Sequence, residues 1–337
     1  MIFAKPKASP QLQLCTLRPC GHIPWRKKRV LPTLRLYLCL LALPFALPAN
    51  AQKPTPHISG QAIYNLTQQY VTAAPHRWVG SPDHLKAEAF IKSHFAPEIA
   101  KGTFETDSFS ANTPVGLLAM RNYIVRYPGK KDGVIVIATH YETNYPLKDI
   151  NFVGANDGGC TTALLIELGA YLRAHPPEGY SIWLVFDDGE EAIKEWTNSD
   201  SLYGTRHLAA KWSANGTISK IKAFLLADMI GDKDLNIDRD ANSTPWLLDL
   251  LHQAAKNTGH LSNVFKYDTQ VNDDHLPFQQ RGIPVLDIID IDYGPRTSAL
   301  PDGFHHTALD TMDKISPHSL QISADLFLEV IRLINQR

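Results

Sequence analysis

The 337-residue sequence predicts an α/β fold: a single-domain, three-layer sandwich whose mixed, mostly parallel sheet carries helices on both faces. Two observations support this. The segments GVIVIAT (133–139) and SIWLVF (181–186) are apolar and rich in β-branched residues, without polar alternation, as strands buried on both faces require. Strand-like segments of this kind alternate with segments of helical length, which is the pattern of parallel strands joined by helices.

Residues 1–51 form a predicted leader rather than part of the fold. They contain eight basic residues and no acid, then the apolar run LYLCLLALPFAL (36–47), then Ala49-Asn50-Ala51. This order is typical of a secretory signal cleaved after Ala51. A membrane anchor is the alternative, but twelve apolar residues fall short of the about 20 that a spanning helix needs. We therefore expect export to the periplasm or the medium, with no stable membrane insertion after leader removal, and a catalytic domain at 52–337.

The charge of the predicted domain argues against a nucleic-acid partner. Eight of the 33 Lys and Arg residues lie in the leader, so the 34 acids give residues 52–337 a net charge near −9. A nucleic-acid-binding face would be basic. Cys160 is the one cysteine after the leader, so we expect no disulfide within the domain and stabilisation by its core. We expect a monomer.

The first half of the domain predicts two helices followed by three strands. A helix is expected at 62–74, and Ser81-Pro82 supplies an N-cap and a first-turn proline for a second helix ending near Phe95. Three strand-like segments follow. They are 103–109, 118–127 and 133–139.

The second half alternates helices with buried strands. Helices are predicted at 158–174, 203–212, 245–258 and 317–337, and strands at 181–186, 221–228 and 283–289. Ligands of parallel α/β sheets bind at the carboxyl ends of the strands, so the residues just after each strand are the candidates for function.

Those strand ends carry carboxylates and imidazoles. Imidazole nitrogen and carboxylate oxygen are the donors that zinc takes in catalytic sites, where one position stays open for water or substrate. A single strand-end Asp or His is more often a helix cap or turn former, but five at one edge predict a zinc site. The five positions are His140, Asp157, the pair Glu190-Glu191, Asp228 and His306.

Glu190 and Glu191 are adjacent, and two neighbouring carboxylates repel each other unless a cation lies between them. One can bind a metal while the other acts as general base or acid. A solvated acidic turn is the alternative, and the apolar strand directly before the pair argues against it.

Six segments in the same order resemble the zinc aminopeptidase family. They are ATHYET (138–143), VGANDGG (153–159), FDDGEEA (186–192), LLADMIG (225–231), DDHLPFQQRGIPVL (273–286) and HTALDT (306–311). Within that family, Trp196, DSLYGTRHLA (200–209) and TPVG (113–116) resemble the animal-type glutaminyl cyclases.

The resemblance implies a role for each candidate residue. Asp157, Glu191 and His306 would hold one zinc ion, and Glu190 would be the acid and base, with Asp228 and Asp273 in a hydrogen-bonded carboxylate network. The substrate pocket would be lined by Trp196, Asn272 and His305. The implied substrates are peptide or protein N-termini, whose glutamine would cyclise with loss of ammonia.

Three positions depart from the family pattern. The third residue of His-x-Asp is Glu142 here, which weakens a two-zinc interpretation, although His140 stays as a candidate ligand for a second metal. Cyclases place an aromatic residue where this chain has His305, so His305 rivals His306 as a ligand. Asn272 stands where cyclases tend to carry Gln.

Two other functions stay open on the sequence. An aminopeptidase would use the same residues with two zinc ions and a water activated by Glu190. A metal-free binding module on this fold is the third alternative, but such modules lose metal ligands and here every candidate is present.

Overall fold

A six-stranded sheet forms the centre of the computed structural model, which describes residues 57–337. The predicted leader (1–51) lies outside the described residues. The strands are β1 (Phe104–Thr113), β2 (Gly116–Tyr127), β3 (Lys131–His140), β4 (Tyr180–Asp187), β5 (Ile221–Asp228), β6 (Ile237–Asp240), β7 (Val264–Thr269) and β8 (Val285–Ile289). The main sheet has the order β1-β2-β4-β3-β5-β8, while β6 and β7 form a separate parallel pair.

Four neighbouring strands of the main sheet are parallel, and the hairpin of β1 and β2 is added antiparallel at one edge. The predicted mixed, mostly parallel sheet is therefore confirmed. The register brings the strand ends level with one another: His140 on β3 lies opposite Asp187 on β4, and Asp228 on β5 lies opposite Ile289 on β8.

Within residues 57–337, eight α-helices cover the sheet. They are α1 (Gly60–Ala73), α2 (Pro82–His94), α3 (Ala96–Lys101), α4 (Cys160–Ala174), α5 (Tyr203–Ala214), α6 (Pro245–Thr258), α7 (Leu276–Gln279) and α8 (Pro317–Ile334). The predicted cap of α2 is present, because the Ser81 hydroxyl accepts a hydrogen bond from the His84 amide and Pro82 opens the helix.

The two faces of the sheet bury separate apolar cores. On β3, Ile135 and Ile137 pack in the core formed with α1, α2, α4, α6 and α8. Val134 and Val136, which point the other way because side chains alternate along a strand, pack in the core formed with α5 and α7. Helices on both faces of one sheet give the predicted three-layer sandwich.

The first and last helices of the described chain are joined directly. The amide of Gly60 donates to Gln321 Oε1 on α8, and Gln321 Nε2 donates to the Ile58 carbonyl, both at 2.9 Å. A Cβ at residue 60 would lie 2.1 Å from the Pro317 carbonyl oxygen, so only glycine permits this approach. The contact fixes α8 against the first described residues.

Several elements differ from their predicted bounds. The helix predicted from Gly158 begins at Cys160, because Asp157 and Gly158 have non-helical backbone angles. The predicted strand at 103–109 extends to Thr113 as one arm of the hairpin. The short elements α3, β6, β7 and α7 were not predicted. Among the helices of residues 57–337, none combines the length and apolar character needed to cross a bilayer.

Candidate active site

A cleft of about 280 Å³ opens at the carboxyl ends of the parallel strands. Nine of the ten residues predicted for the site line it. They are Asp157, Glu190, Glu191, Trp196, Asp228, Asn272, Asp273, His305 and His306. The tenth, His140, is buried and contacts two of the lining carboxylates, Asp157 and Asp228.

The predicted zinc ligands lie close together in this cleft. His306 Nε2 is 2.9 Å from Glu191 Oε1 and 3.4 Å from Asp157 Oδ2. Two ligands bound at 2.0–2.1 Å in a tetrahedral site are about 3.3 Å apart, so both distances from His306 fit zinc. Asp157 Oδ2 is buried and has no hydrogen-bond partner in the described part of the chain, which leaves one carboxylate oxygen free to bind a cation.

The opposite charges of these groups stabilise the ionised form of each. Burial acts to raise the pKa of Asp157, but the neighbouring imidazoles of His140 and His306 outweigh it and hold that pKa below the usual range. Burial acts to lower the pKa of His306, but the Glu191 carboxylate outweighs it and raises the pKa to about 9.

His140 lies beneath the cleft and bridges two carboxylates. Its Nε2 is 3.1 Å from Asp157 Oδ1 and 3.4 Å from Asp228 Oδ1. Burial acts to lower its pKa, but the neighbouring Asp157 and Asp228 carboxylates outweigh burial and raise that pKa well above the usual range. The same three residues could instead hold a cation, since they offer donor atoms within 4.8 Å of one another.

Glu190 belongs to a cluster of buried acids. Burial, reinforced by the neighbouring Glu191 and Asp273 carboxylates, raises the pKa of Glu190 well above its usual range. Burial and the charge of Asp228 raise the pKa of Asp273 in the same way. A carboxyl group whose pKa is raised toward neutrality can both accept and return a proton, which is the property a general acid–base catalyst needs.

The loop before α4 holds Asp157 in place through backbone contacts. Asp157 has φ −82° and ψ 102°, and Gly158 has φ +71°, a left-handed conformation that favours glycine. A Cβ at Gly158 would lie 2.8 Å from His140 Cε1. Asp310 accepts hydrogen bonds from the amides of Asn156 and Asp157 at 2.8 and 3.1 Å, so it fixes this turn from the opposite side.

Glu142 orients Glu191 rather than His140. Its Oε1 accepts the Glu191 amide at 3.2 Å, whereas neither ring nitrogen of His140 has a hydrogen-bond partner in Glu142. The Asn144 side chain donates to Glu191 Oε2 at 2.6 Å. The glutamate at position 142, one methylene longer than aspartate, thus reaches the backbone of Glu191, which follows β4. The sequence analysis gave no role to Asn144.

Arg77 is a second residue that the sequence analysis missed. It is fully buried and donates four hydrogen bonds of 2.7–3.2 Å to backbone carbonyls. Those carbonyls belong to Tyr141, Val153, Gly154 and Asp157. No local signal marks this arginine, because its partners are backbone atoms of segments distant in sequence.

The rest of the cleft has apolar walls. Trp196 stands at the rim with 42% of its surface exposed. Further lining comes from side chains that the sequence analysis did not single out. They are Met229, Val271, Ile289 and Ile291. Asn272 and Asp273 interrupt this wall with polar groups. A small ligand could bury an aliphatic chain here and present polar ends to the acids.

Comparison with known proteins gives concordant results. The profile of Peptidase family M28 matches residues 122–331, more than half of the chain. A glutaminyl-peptide cyclotransferase-like protein of Bos taurus is 32% identical over 241 residues, which cover 63% of this chain and 62% of that protein. A glutaminyl-peptide cyclotransferase of Boiga dendrophila is 30% identical over 276 residues, 71% of this chain and 74% of that one.

A solved structure matches over its whole length. The crystal structure of an Acidobacteriales bacterium glutaminyl cyclase is 78% identical and has a TM-score of 0.84. The match covers 87% of this chain and 100% of that chain. The chain therefore spans a little under two thirds of the bovine relative and all of this bacterial structure.

Proposed function

Because the chain belongs to Peptidase family M28 and, within it, to the glutaminyl cyclases, we propose that it is a zinc-dependent glutaminyl-peptide cyclotransferase. It converts the N-terminal glutamine of a peptide or protein to pyroglutamate and releases ammonia. The observation that carries the proposal is the cleft itself, in which three predicted zinc ligands face a buried acid, Glu190, of raised pKa.

The residues of this chain supply the acid–base chemistry. The α-amine of the substrate attacks its own side-chain amide carbon, a C–N bond forms, and the bond to the amide nitrogen breaks. Glu190 takes a proton from the amine and returns it to the leaving nitrogen, so ammonia departs and the carboxylate is regenerated. Holding amine and amide together makes the attack intramolecular, an effect worth roughly 7–11 kcal/mol in favourable cases.

The donor set fits zinc, and we assign Asp157, Glu191 and His306 as its ligands. When bound, zinc would polarise the substrate's amide carbonyl as a Lewis acid. Asp273 adds negative charge next to Glu190 and Asp228 adds it next to Asp273, so this carboxylate network raises the pKa of Glu190 and favours its holding the proton until ammonia departs. Trp196, Asn272 and His305 lie where they can contact the substrate's first residues.

A zinc aminopeptidase is the second candidate, and one observation favours it. His140, Asp157 and Asp228 place three donors within 4.8 Å of one another, as a second metal would require. Against it, one imidazolium at hydrogen-bond distance from both carboxylates neutralises the same charge without a second ion. We therefore propose one zinc ion per chain.

Two peptides that differ only in their first residue separate the candidates. The zinc-loaded enzyme is incubated with a Gln-initiated peptide and with its Leu-initiated counterpart, and both are followed by mass spectrometry. Cyclisation predicts loss of one ammonia from the Gln peptide and an unchanged Leu peptide. Release of free leucine would instead identify an aminopeptidase, and metal analysis would then be expected to give two zinc ions per chain.

We further propose that the protein acts after export, as a monomer, in the periplasm or outside the cell. The basic, then apolar, then small-residue order of residues 1–51 supports export. Cell fractionation that recovers the full-length chain, with residues 1–51 attached, in the cytoplasm would contradict this.

A further inference from the structure

His305 and His306 present their imidazoles to the same side of the chain. Successive side chains of an extended segment point in opposite directions. Here His306 has φ +53°, in the left-handed region that non-glycine residues seldom adopt. The turn brings the two ring centroids to 3.8 Å, with the ring planes 36° apart. Backbone strain of this kind at a candidate site has to be held by its surroundings.

Both imidazoles face the same carboxylate oxygen. Asp157 Oδ2 lies 3.4 Å from His306 Nε2 and 4.0 Å from His305 Nε2. Donor atoms of the three residues lie within 4.8 Å of one another. Ligands of one tetrahedral zinc are about 3.3 Å apart, so the 4.0 Å from His305 Nε2 to Asp157 Oδ2 is close to the spacing of a shared ion, and the two rings would have to spread from 3.8 Å to bind it.

Asp157 Oδ2 lacks a hydrogen-bond partner among residues 57–337. This oxygen is buried and stays without a partner although two imidazoles stand next to it. Histidine pairs that merely pack would leave this oxygen unsatisfied, which is costly in a buried place. A cation held by this oxygen and the two ring nitrogens would supply the partner that Asp157 Oδ2 lacks.

We propose that His305 is a further ligand of the zinc ion, alongside Asp157, Glu191 and His306. The inference rests on the proposed function in assuming zinc at Asp157 and His306. Four protein ligands complete a tetrahedral shell, whereas catalytic sites keep one position open for water or substrate. His305 therefore occupies that position in the resting enzyme and leaves it when a substrate amide arrives.

The test counts imidazoles on the metal. X-ray absorption at the zinc edge is recorded on the wild-type protein loaded with one zinc ion, and on His305→Phe, which keeps a ring against His306. We expect two imidazoles in the wild type and one in the variant. Zinc affinity, measured by chelator competition, should fall at least about tenfold in His305→Phe, since even loss of an outer hydrogen-bond partner costs 10–100-fold.

His318→Phe is the matched control, because His318 is exposed on α8 and does not line the cleft. It should keep two imidazoles and unchanged affinity. One imidazole in the wild type, with affinity unaltered in His305→Phe, overturns the proposal while leaving the zinc site intact. The wild-type count requires no variant to fold. Failure of the wild type to bind zinc at all would overturn the cofactor assignment as well.

Discussion

Arg77 ties together two loops that meet beneath the cleft. Its guanidinium donates to carbonyls of Tyr141, Val153, Gly154 and Asp157, so one side chain joins the end of β3 to the turn before α4. Arginine suits this task because its donors are fixed in a planar fork. His140 ends β3 and Asp157 lies in the turn before α4. The relative position of these two residues therefore depends on the buried side chain of Arg77.

Replacing Arg77 with Met should destabilise the protein strongly. The methionine fills similar volume but leaves buried carbonyls without donors, at about 1–3 kcal/mol for each group left unsatisfied. We expect the free energy of unfolding, measured in urea, to fall by about 3 kcal/mol or more. Zinc affinity should fall as well. Arg239→Met, at a side chain 53% exposed, is the control and should change the free energy of unfolding by less than about 0.5 kcal/mol.

Substitution of Glu190 should change the catalytic rate rather than the stability of the protein. Glu190→Gln keeps the shape but cannot carry the proton from amine to ammonia. We expect kcat for ammonia release to fall about 10²–10⁴-fold, with one zinc ion still bound. Glu195→Gln, on the exposed stretch four residues from Glu191, should retain full activity. Equal activity of Glu190→Gln and wild type would remove Glu190 from the mechanism.

Residue chemistry alone located most of the candidate site, because strand ends of a parallel sheet are brought together by the fold. Asp157, Glu191, Asp228 and His306 were selected for this reason, and all four line the cleft. Their roles stay predictions. Arg77 and Asn144 were missed because each acts through a partner that only the folded chain brings near.

At the scale of elements, the turn at residues 155–159 shows where sequence reasoning reached its limit. The apolar run that follows predicted a helix from Gly158, but the helix begins at Cys160. Hydrogen bonds from the amides of Asn156 and Asp157 to Asp310 hold the turn out of helical geometry. A contact spanning about 150 residues leaves no trace in local propensity.

The same turn gives a prediction with a built-in control. Gly158 and Gly102 both have φ near +70°, but a Cβ at Gly158 would collide with His140, whereas nothing lies within 4 Å at Gly102. Gly102→Ala should cost only the backbone strain, about 1 kcal/mol. Gly158→Ala should cost more and displace His140 and Asp157, so zinc affinity should fall. Equal melting temperatures for the two variants would contradict this account.

The small pair of β6 and β7 was also missed. Each strand is short, and β7 (VFKYDT) has mostly exposed side chains, so neither has the long apolar run that identified β3 and β4. The long strands and helices were predicted within a few residues. For the central strands this follows because burial on both faces gives a continuous apolar sequence.

For the whole molecule, buried acids away from the cleft make stability depend on pH. Burial, with the charges of Asp232 and Asp238 nearby, raises the pKa of Asp290 to about 8. The folded state thus binds this proton more tightly than the unfolded state, where a carboxyl titrates near 4. The contribution of this group to the free energy of unfolding therefore falls as pH rises from about 4 to about 8, and it does not change further above about pH 8.

Asp290→Asn should therefore stabilise the protein at high pH only. The amide oxygen can still accept the Asn236 amide hydrogen bond, and no charge has to form. We expect the difference in unfolding free energy from wild type to grow in favour of the variant between pH 5 and 8, by at most about 1.4 kcal/mol per pH unit. Asp268→Asn, at a side chain 89% exposed, should show no such trend. A pH-independent difference for Asp290→Asn would refute the assignment.

The join between α1 and α8 has a kinetic consequence. The strands around the cleft come from distant parts of the chain, and the loop with His306 leads into α8, which is joined to α1 through Gln321. Contacts between the two ends of a chain form late, because closing so long a loop is entropically slow to nucleate. Tight zinc uptake during refolding should therefore trail the recovery of helical structure, and the metal would report completion of the fold rather than initiate it.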